Sequence, residues 1–382
     1  MKTLSLITLS LLSLTSAFGQ WNTFHGNNQR NGLTTAVAAP QPQTKWTYDI
    51  GGPIICSPVV APDGSIIVGA TWNDKSKPTL SLTAVRPNGT LKWRFDLPWI
   101  DDETIATPAI GTDGRVYFGT PTGMFYCVDS NGIEQWKHQS LEPVKSHAMV
   151  GQDGNVYVQL DGKLTSFTPN GQKRWERSVD YNNEMGPSET LDGKILATGN
   201  GVYCYNSNGT LLWHALVITT LAPVAVSPNG DIIVGGSDVV ALNPANGDVK
   251  WRAGISAYGT FASPAIDLQG NIYYGFDYDT YKIGPNGNIL VHKMLQAPDS
   301  NMLGHTYSSP LIDGAGKIYW GLGQGKRSAI EFEKNLLVLN SAMQWTYLAP
   351  FPEITGTSNP AIAPDGTLYI GCLDGKLYAL GS

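Results

Sequence analysis

A turn-forming glycine followed at once by a five-residue apolar, β-branched or aromatic run recurs eight times in this chain, at Gly64, Gly114, Gly154, Gly193, Gly230, Gly270, Gly316 and Gly366. The runs read SIIVG, RVYFG, NVYVQ, KILAT, DIIVG, NIYYG, KIYWG and TLYIG, residue types that suit a pleated, half-buried surface. A spacing of about 43 residues marks a repeat architecture, in which each copy buries its apolar faces only against its neighbours.

Each copy opens with a short apolar strand, commonly introduced by a Ser-Pro-like pair, as in SPVV from Ser57, TPAI from Thr107, SPAI from Ser263 and NPAI from Asn359. Proline at the first position of a strand sacrifices no ladder donor that pairing needs. A tight turn follows, Asp-Gly at Asp63, Asp113, Asp153, Asp192 and Asp365, where glycine supplies the positive φ that a hairpin requires. After the second strand comes a third, then a second turn, Asn-Gly at Asn88, Asn131, Asn170, Asn208, Asn246 and Asn286. The fourth strand is expected to end in a packing tryptophan: Trp93, Trp136, Trp175, Trp213, Trp251 and, after an irregular seventh copy, Trp345, with His292 in that place in copy six. Four strands joined by short turns make a meander the size of a propeller blade. No stretch has sustained helical periodicity, so the fold class is all-β: an eight-bladed β-propeller of four-stranded antiparallel blades.

The eighth copy stops after its third strand, at LYALGS, whereas TKWTYDI (44–50) precedes the first copy with Trp46 in the register of the missing strand. The ring is therefore expected to close through the N-terminal strand, which completes the last blade and removes an unpaired edge. This divides the chain into residues 1–19, a 20–43 leader and a propeller over 44–382.

Lys2, the apolar LSLITLSLLSL and Ala17-Phe18-Gly19 read as a secretory signal peptide cleaved after Gly19. The apolar stretch is too short to span a bilayer. With no lipid-attachment cysteine near that site, the mature chain is expected in the periplasm or outside the cell, as a monomer. A formal net charge of −6 gives no footprint for nucleic acid or anionic lipid. Cys127 and Cys204 hold equivalent places in blades two and four and read as buried small hydrophobes. Cys56 and Cys372 fall in blades that closure makes neighbours, and an oxidising compartment permits a disulfide between them.

The unit SPxxxxDGxxYxGxxDGxLYALxxxxGxxxW, fullest in SNPAIAPDGTLYIGCLDGKLYAL and TPAIGTDGRVYFGTPTGMFYCVDSNGIEQW, resembles the pyrroloquinoline-quinone-type (PQQ-like) β-propeller repeat. WNTFHGNNQRNG, residues 21–32, resembles the leader preceding the first blade in secreted bacterial members. The resemblance implies two branches. Quinone-dependent alcohol and glucose dehydrogenases carry PQQ with calcium and, in alcohol-oxidising members, adjacent cysteines; here no two cysteines adjoin and CxxCH is absent. The compact branch includes the propeller lipoprotein of the outer-membrane β-barrel assembly machinery, a docking platform without chemistry, whose lipid-attachment cysteine this sequence lacks.

No HExxH pair or GxSxG elbow appears, and GLGQGKR (321–327) departs from the phosphate-loop spacing. No catalytic residue and no metal ligand is assigned. Asp277-Tyr278-Asp279 and Asp101-Asp102-Glu103 do not reproduce an EF-hand loop and read as solvated loop acids. Blade-linking connections and those between second and third strands emerge on one face. They are read as holding Trp72, Trp99, Asp101, Asp102, Glu103, Tyr181, Glu184, Tyr258, Asp277, Asp279, Tyr307 and Tyr347. Aromatics beside acids suit a protein or glycan partner, the rings giving rigid area and the acids direction. The expected function is a secreted or periplasmic binding scaffold; the alternative is a PQQ-dependent oxidoreductase acting on alcohols or sugars. A quinone absorption band and dye reduction after adding PQQ and calcium would separate the two.

Overall fold

The computed structural model describes residues 21–70, 79–98, 106–179, 186–218, 222–255, 262–295, 306, 308–323, 334–356 and 358–382. Its strands form eight four-stranded sheets, each antiparallel and in meander order, which are the blades of the propeller. Blade one comprises Val59–Val60, Ile66–Ala70, Thr79–Val85 and Leu91–Pro98. Blade eight takes Ala361–Ile362, Leu368–Gly371 and Lys376–Gly381 from the end of the chain and Gln43–Asp49 from its beginning. In that closing pair Trp46 stands opposite Ala379 and Thr47 opposite Tyr378.

The first turn of each blade follows from its sequence. In blade one Gly64 N donates to Ala61 O and Ala61 N to Ser65 O, both at 2.8 Å, with Gly64 at φ +81° and Asp63 Oδ1 accepting from Ser65 N. Only glycine adopts that dihedral without penalty. The second turn does more. Its glycine is the floor on which the tryptophan of the preceding blade lies: a Cβ at Gly89, Gly132, Gly171, Gly209, Gly247 or Gly287 would meet Trp46, Trp93, Trp136, Trp175, Trp213 or Trp251 at 2.6–2.9 Å. Each of these indoles also donates Nε1 to a carbonyl of the same turn, from Trp46 to Pro87, Trp93 to Ser130, Trp136 to Pro169, Trp175 to Ser207, Trp213 to Pro244 and Trp251 to Pro285, at 2.8–3.0 Å. Glycine and tryptophan thus form one latch between blades, combining aromatic burial with a satisfied N–H.

The register corrects two expectations about these tryptophans. They do not end the fourth strand but lie near its start, just past a bulge, as Trp93 does opposite Ala84 while Leu91 faces Val85. In blades six and seven the equivalent ladder positions belong to Val291, opposite Lys282, and Tyr347, opposite Val338. His292 and Trp345 are one position away on the ladder, so neither occupies the latch site. Where Val291 replaces tryptophan, the facing turn of blade seven carries Met343, at φ 58°, in place of glycine. Met343, Val291 and Trp345 pack in one cluster and fill the space between blades six and seven.

The Ser-Pro-like pairs also join blades. The residue before the proline position accepts a hydrogen bond from its counterpart in the preceding blade: Ser57 N to Thr107 Oγ1, Thr107 N to His147 Nδ1, Ser263 N to Ser309 Oγ, Ser309 N to Asn359 Oδ1 and Asn359 N to Ser57 Oγ. Between blades three and four Gly186 approaches so closely that a Cβ would lie 2.2 Å from His147 O.

The disulfide entertained for Cys56 and Cys372 is not formed. All four cysteines are free and buried. Cys56 Sγ hydrogen-bonds to Gly69 and Cys372 Sγ to the Glu353 carbonyl, and burial pushes both thiols up to about 12. Each sulfur is satisfied within its own surroundings.

Candidate functional site

The antiparallel meander places the Asp-Gly and Asn-Gly turns at one end of the ring and the blade-linking and second-to-third connections at the other. Residues 21–38 lie across the turn end. Six inner strands donate their last backbone N–H to this segment at 2.7–2.9 Å: Val60 to Trp21 O, Ile110 to Asn22 O, Glu189 to Asn28 O, Val226 to Gln29 O, Ile266 to Asn31 O and Ile312 to Gly32 O. Blade three is held by side chains, with Thr23 Oγ1 donating to Ala148 O and Asn28 Nδ2 to Val150 O. Blade eight is met at Gly366, where a Cβ would lie 2.2 Å from Val37 O. The sequence identified this stretch only as a leader; in the fold it is a plug that touches every blade.

The plug's side chains fill the axis. Arg30 is wholly buried and donates from Nε to Pro187 O, from Nη1 to Thr23 Oγ1 and Phe24 O, and from Nη2 to Ala148 O. With these neutral acceptors around it, burial lowers its pKa to about 9. His25 places Nδ1 2.6 Å from Arg30 O and Nε2 2.7 Å from Pro310 O. A neutral ring donates to only one of these carbonyls, yet burial, with the Arg30 charge adding to it, holds the pKa down to about 4. Phe24 stacks on His147 at 4.2 Å between centroids, and burial together with Arg30 lowers His147 to about 3. Glu189, raised by burial, accepts from Asn28 Nδ2 and Gln152 N and so ties the plug to blades three and four.

The plug closes the turn end of the ring, opposite the blade-linking face. Of the residues predicted there, Trp72, Trp99, Asp101, Asp102, Glu103, Tyr181, Glu184, Tyr258 and Tyr307 lie outside the described residues. Asp277 is on that face, at φ 51° in the second-to-third turn of blade six, its carbonyl accepting from Thr306 N. Asp279 begins the next strand and pairs with His292 at 2.7 Å. Tyr347 is not on that face: it occupies the latch position of blade seven and its hydroxyl accepts from Gln43 Nε2 of blade eight. Its role is packing.

Among the described residues no three of His, Cys, Asp and Glu gather as a metal cage. No helix among the described residues is long and apolar enough to cross a membrane.

A family model described as "Outer membrane protein assembly factor BamB" matches residues 30–194 and 81–274. The fold is similar to that of BamB from Moraxella catarrhalis, at 14% identity and a TM-score of 0.64 over 89% of this chain and 100% of that one. It is similar as well to the C-terminal WD40 domain of Sif2, at 10% identity and a TM-score of 0.67 over 90% of this chain and 98% of that one. The computationally designed Ika8 protein shares the fold at 13% identity and a TM-score of 0.60, over 88% and 99%. No curated protein matches by sequence.

Proposed function

The chain belongs to the family described as Outer membrane protein assembly factor BamB, and we propose that it acts as a periplasmic protein-docking scaffold that holds its partner on the blade-linking face. The observation that carries this reading is the plug: residues 21–38 fill one end of the ring with backbone-bonded, buried side chains, which leaves the opposite face as the approach to the axis. The sequence of that face supports a protein ligand, because Trp99 beside Asp101, Asp102 and Glu103 combines an aromatic anchor with directional charge. The basic start, apolar stretch and small-x-small site of residues 1–19 support export by a cleaved signal peptide.

The family description suggests partners engaged in outer-membrane protein assembly. The test is co-purification of tagged protein with outer-membrane assembly factors from its own host, comparing wild type with Trp99→Ala and with the triple variant Asp101→Lys, Asp102→Lys, Glu103→Lys. Loss of the complex in both variants, at unchanged melting temperature, is the expected result. Full retention in both, or displacement by a soluble glycan instead, overturns the reading.

A further inference from the structure

The outer strand of each blade pairs with another strand on one side only, and such edges are ordinarily guarded by charge. At the ladder position just after the latch residue, blades one, two, three and five carry Arg94, Lys137, Glu176 and Arg252. Blade four differs. Its outer strand, Leu211–Ala215, has His214 at that position, stacked on Tyr203 at 3.9 Å and bonded to the Asn200 carbonyl. From Leu211 to Ile218 the chain contains no Asp, Glu, Lys or Arg. Leu211 and Leu212 are 49% and 44% exposed, and Leu216 and Ile218, just beyond the strand, 75% and 73%.

The neighbouring rim supplies one charge. Arg177 of blade three lies over Trp175 and donates Nε to Gly209 O at 2.7 Å, beside the turn that begins this strand. It takes part in no ion pair with an acid among the described residues. The result is an unguarded strand edge, flanked by an apolar row and ended by a cation.

We propose that this edge accepts, as a fifth antiparallel strand, an extended segment of a partner protein that alternates apolar residues and ends in a carboxylate near Arg177. The backbone edge demands an extended chain, since only a strand meets its N–H and C=O groups in register. The exposed leucines and Ile218 demand apolar side chains. Antiparallel pairing brings the C-terminal end of the added strand to the turn end, where Arg177 stands, and so selects an acid there. This surface runs along the outer edge of blade four and reaches the rim of the blade-linking face at Leu216 and Ile218, but it uses none of the residues to which docking on that face is assigned.

The test uses the mature protein and a fluorescent N-acetylated peptide, Thr-Val-Thr-Val-Thr-Val-Asp, followed by fluorescence anisotropy and by hydrogen exchange at residues 211–218. Binding should slow exchange of these amides. It should weaken at least about tenfold with Leu216→Asp plus Ile218→Asp, with Arg177→Glu, and with peptides carrying Pro at the third residue or Lys for Asp. Val249→Asp on blade five, exposed like Leu212, should leave it unchanged and serves as the control for folding. Absence of binding at millimolar peptide, or equal binding of the Pro peptide, overturns the proposal. So does self-association of the protein that Leu216→Asp abolishes, which would make a second copy the occupant.

Discussion

Trp46 reaches from the first strand of the chain to donate Nε1 to the carbonyl of Pro87 at 2.9 Å, and its ring presses on Gly89 one residue beyond Asn88. The strand that closes the ring is therefore joined to two blades at once: by its ladder to blade eight, and by this indole to blade one. The same latch recurs at five further interfaces, and its absence between blades six and seven is compensated by Met343 and Trp345.

Blade three separates the two roles of glycine. Gly154 and Gly171 both have positive φ, +75° and +84°, but a Cβ at Gly154 meets nothing within 4 Å whereas one at Gly171 falls 2.7 Å from Trp136. Gly154→Ala should cost only the left-handed backbone penalty, about 1–2 kcal/mol. Gly171→Ala should cost about 1–3 kcal/mol more, because the indole must move. Urea unfolding of the two variants checks this, and equal losses would contradict the latch.

The interface between blades six and seven should reject the residue that its neighbours require. Val291→Trp restores the repeat consensus but meets Met343, which is 1% exposed, and Trp345. Overpacking of this kind costs about 1–3 kcal/mol, and adding Met343→Gly should recover part of it. A thermal melt of the single and double variants shows whether the order holds; a single variant more stable than wild type would refute it.

Stability should fall on mild acidification. His25 is neutral in the folded chain with its pKa held to about 4, against an ordinary 6.5. The unfolded chain therefore binds the proton first, so this contribution is complete above pH 6.5, is lost as pH falls towards 4, and changes no further below that. The loss amounts to roughly 3 kcal/mol at about 1.4 kcal/mol per unit. His147, lowered by burial and Arg30, acts in the same direction, while the raised carboxyl of Glu189 opposes them. Denaturant unfolding at pH 7, 5.5 and 4 should show the slope, and His25→Gln should remove its share; a wild-type curve flat over this range would contradict the burial of the ring.

The blades and their closure were legible in the sequence because they rest on local signals repeated eight times: a glycine where φ must be positive, then an alternating apolar run. The latch was half legible. The tryptophans announced packing, but a bulge after each second turn shifts the ladder, so reading by spacing alone put His292 and Trp345 where the register puts Val291 and Tyr347. The Ser-Pro pairs were read for their proline, although the preceding hydroxyl is what joins the blades. The plug left no periodic trace, since its partners, from Val60 to Ile312, are spread over the whole chain and each contributes one backbone bond. Arg30 and His25 therefore show no periodic sign of the blades they touch, and Tyr347 packs at the latch position of blade seven, away from the blade-linking face.

Hydrogen exchange at residues 43–49 tests the central claim most directly. If Gln43–Asp49 is the outer strand of blade eight, paired with Lys376–Gly381, its ladder amides exchange as slowly as those of that partner strand, through the same opening of the ring. Exchange of 43–49 at the rate of an unstructured peptide, with 376–381 still protected, would show that the ring is not closed by the head of the chain.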